Sequence, residues 1–187
     1  MREARVVRET LETRVDVWLS LDGRGSVEVS TGLGFFDHML ETMLFYAGYD
    51  SSIRAVEKKS VGGHHVIEDT GITLGEAVRK ALGDRYARFG YSITPMDESL
   101  ALVAVDISGR PRFNVDIPKG TVGGVALEDL AHFIEALASS LKASIHVVMV
   151  RTGNRHHDVE AVFKALGFAL GQATRVSDRL VTTKGIL

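Results

Sequence analysis

The sequence of 187 residues contains no cysteine, which excludes disulfides, thiolate metal sites and cysteine nucleophiles together. Any bound metal must therefore be held by nitrogen and oxygen ligands. Neither sign of charge dominates, because 22 Lys and Arg face 24 Asp and Glu and the net charge is −2. This balance gives no indication of a nucleic-acid or membrane-surface protein.

Long apolar runs are also missing. The N-terminus, residues 1–5, carries charges where a secretory signal would need an apolar stretch, and no window approaches about 18 uninterrupted apolar residues. We therefore expect a cytoplasmic protein. What is present is ordinary for a soluble globular chain: 45% hydrophobic and 25% charged residues, with enough length for a substantial core.

A His-His-x-x-Glu phrase occurs twice, at residues 64–68 and 156–160, and each copy is followed by a glycine seven residues past its glutamate. On an α-helix, the two adjacent histidines diverge by about 100°, so each phrase can offer ligands in two directions. The alternative interpretation is a polar helix N-terminus with no metal. The duplication at a nearly constant offset favours metal binding.

The hydrophobic pattern predicts an α+β fold built from two similar halves. The predicted strands are residues 4–9, 13–21, 27–29, 52–56, 101–107, 112–117 and 145–150. Helices are predicted at about 35–47, from 64 toward 89, at 127–143 and from 156 onward, with a flexible break at 119–124. Each half is expected to form a mixed sheet of about four strands with two helices.

Neither half can bury its apolar face alone, so we expect the helices to pack between the two sheets. This arrangement resembles the second domain of ribosomal protein S5. The result is a single catalytic domain, 1–187, made of two tandem repeats, about 1–92 and 93–187.

Six of the seven histidines and the two phrase glutamates occupy matched places in the repeat. They are His38, His64, His65, Glu68, His132, His156, His157 and Glu160. Eight ligands divided between two octahedral ions leave positions open for water or substrate, as in a catalytic site. Imidazole and carboxylate ligands suit Mn, Fe or Zn. His146 has no counterpart in the first half and is interpreted as an ordinary strand residue.

Motifs along nearly the whole chain resemble the imidazoleglycerol-phosphate dehydratase family of histidine biosynthesis. They include Phe-Phe-Asp-His-Met-Leu at 35–40, both histidine phrases, Arg-Phe-Gly at 88–90, Pro-Met-Asp-Glu at 95–98, Asp-Ile-Ser-Gly-Arg-Pro at 106–111 and Thr-Lys-Gly at 183–185. The resemblance implies a hydro-lyase that converts D-erythro-imidazoleglycerol phosphate into imidazole-acetol phosphate. It also implies two Mn(II) per active site and a cage of 24 subunits with active sites between subunits.

The same resemblance assigns the eight ligands above to the two ions. It makes Glu12, contributed from a neighbouring subunit, a catalytic acid or base. The chemistry needs a second such group, and the candidates are a metal-bound water, Glu68 and Glu160. The phosphate contacts that it implies are Arg88, Arg110, Lys164, Thr182 and Lys184. The chain departs from the family's pattern at 62–63, where Gly-Gly replaces an acidic pair, and at Leu11, Thr42 and Thr152. None of these departures removes a metal ligand.

The chemistry explains why such ligands are needed. The substrate hydrogen lies on a carbon with no adjacent carbonyl, so the electrons that expel the hydroxyl must come from the imidazole ring. A ring deprotonated between two ions, as a bridging imidazolate, could do this through a diazafulvene-like intermediate. The ions would then lie about 6 Å apart, given metal–nitrogen bonds of about 2.1 Å.

Three other classes of protein stay open at this stage. A dinuclear metal hydrolase would hold its ions about 3.5–4 Å apart. A non-catalytic metal-binding cage would fill the open coordination positions with protein ligands. An RNA-binding module is disfavoured by the net charge of −2 and by the lack of a clear basic-aromatic face.

Overall fold

The computed structural model describes residues 2–59, 62–178 and 181–182. The strands are β1 Glu3–Glu9, β2 Thr13–Ser20, β3 Val27–Ser30, β4 Asp50–Glu57, β5 Phe89–Met96, β6 Ser99–Asp106, β7 Arg112–Val115, β8 Thr121–Val122, β9 Val125–Ala126 and β10 Ser144–Arg151. The helices are α1 Gly34–Ala47, α2 His64–Ala81, α3 Leu127–Leu141 and α4 Arg155–Ala173.

Two four-stranded sheets form the outer layers. Their strand orders are β1-β2-β4-β3 and β5-β6-β10-β7, which are the same topology used twice. In each sheet the third strand of the half pairs in parallel, β3 with β4 and β7 with β10, while the other neighbours are antiparallel. The predicted α+β class with two mixed sheets is confirmed.

The four helices fill the space between the sheets. Helices α1 and α2 lie on the first sheet, α3 and α4 lie on the second, and the layers meet where α1 packs on α4 and α2 packs on α3. These crossings are close because glycines lie in them. A Cβ on Gly75 would lie 2.6 Å from the carbonyl oxygen of Leu137, and one on Gly167 would lie 2.3 Å from that of Met43.

Aromatic rings join the helices at the centre of the core. Phe36 of α1 meets Phe133 of α3 edge to face with ring centroids 5.3 Å apart, and Phe133 stacks on Phe163 of α4 at 5.8 Å. All three side chains are fully buried. Such pairs contribute about 0.5–1.5 kcal/mol each beyond the burial of their area, so they fix the helices that carry the candidate ligands.

The prediction of a helix from residue 64 toward residue 89 is wrong in its last part. Helix α2 ends at Ala81, Gly83 follows with a φ of 69°, and residues 89–96 form strand β5. The strand was missed because it contains glycine and proline. Pro95 is tolerated because β5 lies at the edge of its sheet, where a strand can do without one backbone donor.

The predicted break at residues 119–124 contains a short hairpin instead. Strands β8 and β9 pair antiparallel around Gly123 and Gly124, which have φ values of 56° and 81°. Two adjacent residues with positive φ are what a tight two-residue hairpin turn requires, and glycine adopts them without strain. The segment is therefore ordered by its own pairing and leads directly into α3.

The second sheet begins with β5 at residue 89, a few residues before the predicted boundary between the repeats. The description of the chain as one catalytic domain of two repeats stays a prediction. Within the described residues, none of the helices combines the length and the apolar character that crossing a membrane requires.

Candidate metal centre

Both histidine phrases stand at the N-termini of helices. Helix α2 begins at His64, directly after Gly63, whose φ of 81° turns the chain into the helix. Helix α4 begins one residue before His156, and the Asn154 side chain accepts a hydrogen bond of 2.8 Å from the backbone N–H of His156. An asparagine in this position satisfies one of the free N–H groups of the first turn. The phrases are thus held on rigid helix starts.

The first group of candidate ligands, the His38 cluster, consists of His38, His156 and Glu160. Helix α1 packs on α4 and so brings a histidine of the first repeat to two ligands of the second. The Nε2 atoms of His38 and His156 lie 3.8 Å and 3.3 Å from the same Glu160 carboxylate oxygen. One ligand atom from each residue lies within 4.8 Å of the other two.

Glu160 is the most buried member of this cluster and is 8% exposed. Burial alone would raise the pKa of this carboxyl, but the hydrogen bond and positive charge of Lys164, with weaker attraction from the two histidines, lower the pKa below its ordinary value. Lys164 Nζ lies 2.8 Å from Glu160 Oε1. Both side chains line one cavity together with Thr42. The carboxylate form, which can bind a metal or accept a proton, is therefore favoured.

The second group, the His64 cluster, consists of His64, Glu68 and His132. Helix α3 packs on α2, which brings the rings of His64 and His132 to 5.4 Å between centroids. Glu68 and His132 line one cavity. Among the described residues, this trio does not meet the 4.8 Å spacing found in the His38 cluster, so it is the more open of the two.

The remaining two histidines turn away from their neighbours, as the 100° divergence predicts. The ring centroids of His64 and His65 are 5.7 Å apart, and those of His156 and His157 are 6.1 Å apart. His65 Nδ1 lies 2.9 Å from Glu12 Oε2, although this nitrogen has no properly oriented hydrogen bond. Glu12 therefore lies next to His65 of its own chain.

His157 has an acidic partner that the sequence reasoning missed. Its Nδ1 lies 3.2 Å from Glu98 Oε2. Asp97, Glu98 and His157 form a further group, separate from both clusters, in which the ligand atoms lie within 4.8 Å of one another. The backbone N–H of Asn154 and the His157 side chain lower the Glu98 pKa to about 2. Glu98 precedes β6 as Glu12 precedes β2, so aligning the strands of the two repeats would have identified it.

The residues implied for phosphate binding are only partly brought together. Arg88 donates from Nε and Nη2 to the Asp106 carboxylate at 2.6 Å and 3.1 Å, and from Nη1 to the Val181 carbonyl at 2.6 Å. This last bond places Arg88 beside the segment that contains Thr182. Arg110 is exposed. Lys164 instead contacts Glu160 of the His38 cluster, and Lys184 lies outside the described residues.

His146 lies on β10, and its side chain is exposed between two buried neighbours, Ile145 and Val147. It therefore points to the outer face of the second sheet, whereas the helices that carry the ligands cover the inner face. This placement agrees with its interpretation as an ordinary strand residue.

The donor sets fit a divalent transition metal. Imidazole nitrogens and a carboxylate oxygen are the ligands that Mn, Fe and Zn accept, and the His38 cluster presents three of them with spacing short enough to share one ion. Three protein ligands leave further coordination positions open for substrate or for a ligand from elsewhere.

Comparisons with known proteins agree with this geometry. The family model described as imidazoleglycerol-phosphate dehydratase matches residues 31–170. A curated imidazoleglycerol-phosphate dehydratase of Metallosphaera sedula is 46% identical over 191 aligned positions, which cover 100% of this chain and 99% of the relative. One from Saccharolobus islandicus is 42% identical with the same coverage.

Two solved structures of imidazoleglycerol-phosphate dehydratases are also similar to this chain. The chain is similar to the IGPD crystal structure of Pyrococcus furiosus, with a TM-score of 0.88 and 44% identity over 97% of this chain and 100% of that one. Similarity to the Staphylococcus aureus enzyme has a TM-score of 0.81 with 34% identity, over 94% and 99% of the two chains. By its sequence and its fold, this chain belongs to the imidazoleglycerol-phosphate dehydratase family.

Proposed function

We propose that this protein is a hydro-lyase of histidine biosynthesis, acting in the cytoplasm, that removes water from D-erythro-imidazoleglycerol phosphate to give imidazole-acetol phosphate. The observation that carries the proposal is that each cluster combines ligands from both repeats. His38 of the first repeat joins His156 and Glu160 of the second, and His132 of the second joins His64 of the first. Two matched sets of ligands thus arise from one fold.

Each cluster would hold one Mn(II), and other divalent metals that accept imidazole and carboxylate ligands, such as Fe or Zn, would be able to replace it. When bound, the two ions would act as Lewis acids and as a template for the imidazole ring of the substrate. The protein's own part is to present three side chains per ion from helices whose packing is fixed by the core. The chain contributes His65 and His157 to neither cluster of its own.

Those two outward histidines support active sites shared between subunits. His65 and His157 diverge from their own clusters and remain partly exposed, at 38% and 27% of their side-chain area. A second copy of the chain could receive each of them as a fourth ligand. We propose the cage of 24 subunits as the assembly that achieves this for every copy.

An exposed apolar face gives such an assembly a surface to bury. Ile93, Leu102 and Val148 are paired in one row across β5, β6 and β10, and Ile93 and Val148 are 61% and 44% exposed. The outer face of the first sheet also exposes Val7, Trp18 and Val56, but these lie among charged residues and ion pairs such as Arg5 with Asp16. Apolar surface of this kind on one side of a protein is typical of an interface.

Proton transfer requires a base for the substrate C–H and an acid for the leaving hydroxyl. Glu12 suits one of these roles, because its side chain is 41% exposed beside an outward histidine and would enter a neighbour's site together with it. Glu160 is held as a carboxylate by Lys164, so it suits ligation or proton acceptance better than proton donation. Glu68 is the remaining candidate acid.

The phosphate of the substrate would be bound by Arg88, Arg110, Lys164, Thr182 and Lys184. Arg88 has two guanidinium N–H groups beyond those that bind Asp106 and Val181, because a guanidinium carries five donors. Its contact with Asp106 fixes the side chain in place, and a dianionic phosphate commonly needs two or three such donors.

The test is to remove all metal, restore Mn(II), add the substrate and identify the product. Imidazole-acetol phosphate, measured by its enol absorbance at high pH and by a mass lower by one water, is the expected result. Release of inorganic phosphate without loss of water would indicate a hydrolase instead. No reaction with any of Mn, Fe, Co or Zn would contradict the enzymatic proposal altogether.

A further inference from the structure

The two clusters differ in the side chain that contacts the first histidine of each phrase from outside the cluster. Nδ1 of His64 lies 2.7 Å from Oδ1 of Asp129, and both side chains are partly buried, at 38% and 22% exposure. Asp129 lies in the first turn of α3, three residues before His132. One helix therefore supplies both a ligand of the His64 cluster and a carboxylate that touches another ligand of the same cluster.

The first repeat has no carboxylate in the matching place. Three residues before His38 stands Phe35, and its ring packs against His156 with centroids 5.2 Å apart and planes tilted by 59°. His64 and His156 open the two repeated phrases and are therefore equivalent residues. Outside its own cluster, His64 contacts an anion, whereas His156 contacts an aromatic ring.

We infer that Asp129 is a positioning residue for His64, an inference that rests on the proposed metal-binding function. A neutral imidazole has one N–H donor and one acceptor nitrogen, and a carboxylate can only accept. The contact at Nδ1 therefore selects the tautomer with the proton on Nδ1, which leaves the lone pair of Nε2 free for an ion in the His64 cluster. A carboxylate behind a ligating histidine also fixes its ring and raises its basicity.

It follows that the two metal sites of one chain are unequal. The His64 cluster has the wider spacing among its side chains, and Asp129 orients one of its ligands in advance. In the His38 cluster, the ligand equivalent to His64 is His156, which packs on Phe35 and has only the carboxylate of its own cluster, Glu160, nearby. Loss of Asp129 should therefore weaken the binding of the ion in the His64 cluster and leave the binding of the other ion unchanged.

A competing role for Asp129 is general stabilisation of α3, since an acidic residue in the first turn interacts favourably with the helix dipole. Glu128 separates the two roles. It lies in the same turn, is exposed, and accepts a hydrogen bond from the Gly120 backbone N–H at 3.4 Å instead of contacting a histidine. Glu128→Gln removes the same charge from the same helix end.

The experiment is a titration of the full metal-free protein with Mn(II), in which the electron paramagnetic resonance signal of free Mn(II) reports binding. Wild type and Glu128→Gln should both bind two ions per subunit with unchanged affinities. Asp129→Leu should lower the affinity for one of the two ions by about 10–100-fold, which is the usual effect of losing a carboxylate that contacts a ligating histidine. The affinity for the other ion should stay as in wild type. Asp129→Asn should weaken the same ion by less, because an amide oxygen still accepts from Nδ1–H.

Thermal unfolding of the metal-free variants accompanies the titration. Equal melting temperatures of Asp129→Asn and Glu128→Gln, with weaker binding only in the former, would support the positioning role. Wild-type affinities in both Asp129 variants, or the same weakening in Glu128→Gln, would overturn it and leave the proposed function intact. A wild-type protein that binds no Mn(II) would overturn both.

Discussion

Tyr49 is the largest fully buried side chain of the described residues, and its hydroxyl lies 2.8 Å from the Thr174 hydroxyl. Thr174 in turn donates to the Leu170 carbonyl at 2.9 Å, so Tyr49 supplies the hydrogen that Thr174 accepts. Burial raises the pKa of Tyr49 strongly above its ordinary value of 10.0. A single phenol thus links the end of α1 to the end of α4 and makes the fold sensitive to alkali.

Tyr49→Phe should reduce the free energy of unfolding by about 0.5–1.5 kcal/mol at pH 8, the usual net worth of one hydrogen bond. Above pH 10, the unfolded wild-type phenol loses its proton while the folded one keeps it. Stability due to Tyr49 is therefore present below pH 10 and falls by about 1.4 kcal/mol per pH unit above it. Urea unfolding from pH 8 to pH 11 should show the difference shrinking and then reversing; a constant difference would contradict the assigned burial.

His65 is the residue on which the sharing of sites between subunits depends. His65→Ala should reduce the bound Mn(II) from two ions to one per subunit and abolish turnover, because under the proposal its ring is the fourth ligand of an ion held by another copy. The fold of the monomer should persist, since His65 is partly exposed. His146→Ala is the matched control, because it removes an exposed histidine outside the ligand set; since His146 shares its sheet face with Val148, light scattering checks that this variant still assembles. Full metal content in His65→Ala would remove that residue from the ligand set.

At the scale of the element, the crossings of α2 with α3 and of α4 with α1 determine where the ligands meet. Gly75 and Gly167 stand at equivalent points of these crossings, each seven residues past the glutamate of its phrase. The backbone of the partner helix occupies the space that a Cβ would need. The helices cannot approach in the same way with a larger residue, so the ligand clusters depend on residues outside the site.

Gly75→Ala should lower the free energy of unfolding by about 1–3 kcal/mol, the cost of overpacking, despite the better helix propensity of alanine. Gly34→Ala is the control: it lies at the start of α1 with no other group within 4 Å of the added Cβ, so stability should be unchanged or rise by up to about 1 kcal/mol. Denaturant unfolding of the metal-free proteins measures both. Equal stability of the two variants would contradict the close crossing.

The sequence was sufficient to predict the elements whose pattern is regular. Val15, Val17 and Leu19 alternate with polar residues along β2, and the histidine phrases mark the starts of α2 and α4. Strand β5 could not be recognised because Gly90, needed where the strand passes the backbone of Ala169, interrupts the strand pattern.

The repeat likewise pointed to the histidines that the structure gathers into candidate clusters, but not to how they divide between the clusters. The repeat identified matched histidines, since duplicated residues keep their places along each half. That His38 meets His156 follows from the packing of α1 on α4, which joins different repeats. Asp129 was missed because its contact with His64 arises only when α2 and α3 come together. Glu98, which contacts His157, was missed because the strands of the two repeats were not aligned with each other.

At the scale of the whole molecule, the contrast between the two outer sheet faces predicts how copies associate. Ile93→Glu places a charge in the apolar row of the second sheet and should reduce the assembly to smaller species in light scattering. Val56→Glu is the control, because Val56 is 58% exposed on the first sheet opposite Arg14, which can pair with the new charge. A particle of unchanged mass in Ile93→Glu would exclude this face from the interface.

Disassembly should also remove activity, since the proposed sites take His65 and His157 from other copies. Small species of Ile93→Glu should retain their secondary structure and bind Mn(II) more weakly than the assembled protein. Full turnover by a monomer would contradict sites shared between subunits, while leaving the assignment of the two clusters untouched.

The central claim is that two clusters, each built from both repeats, hold two ions that act on one imidazole ring. The most direct measurement is to add Mn(II) stepwise to the metal-free protein and record both the ions bound per subunit and the rate of dehydration. We expect no turnover without metal and a rate that rises as the second ion binds, reaching its maximum at two ions per subunit. Full activity at one ion per subunit, or turnover by the metal-free protein, would contradict the account.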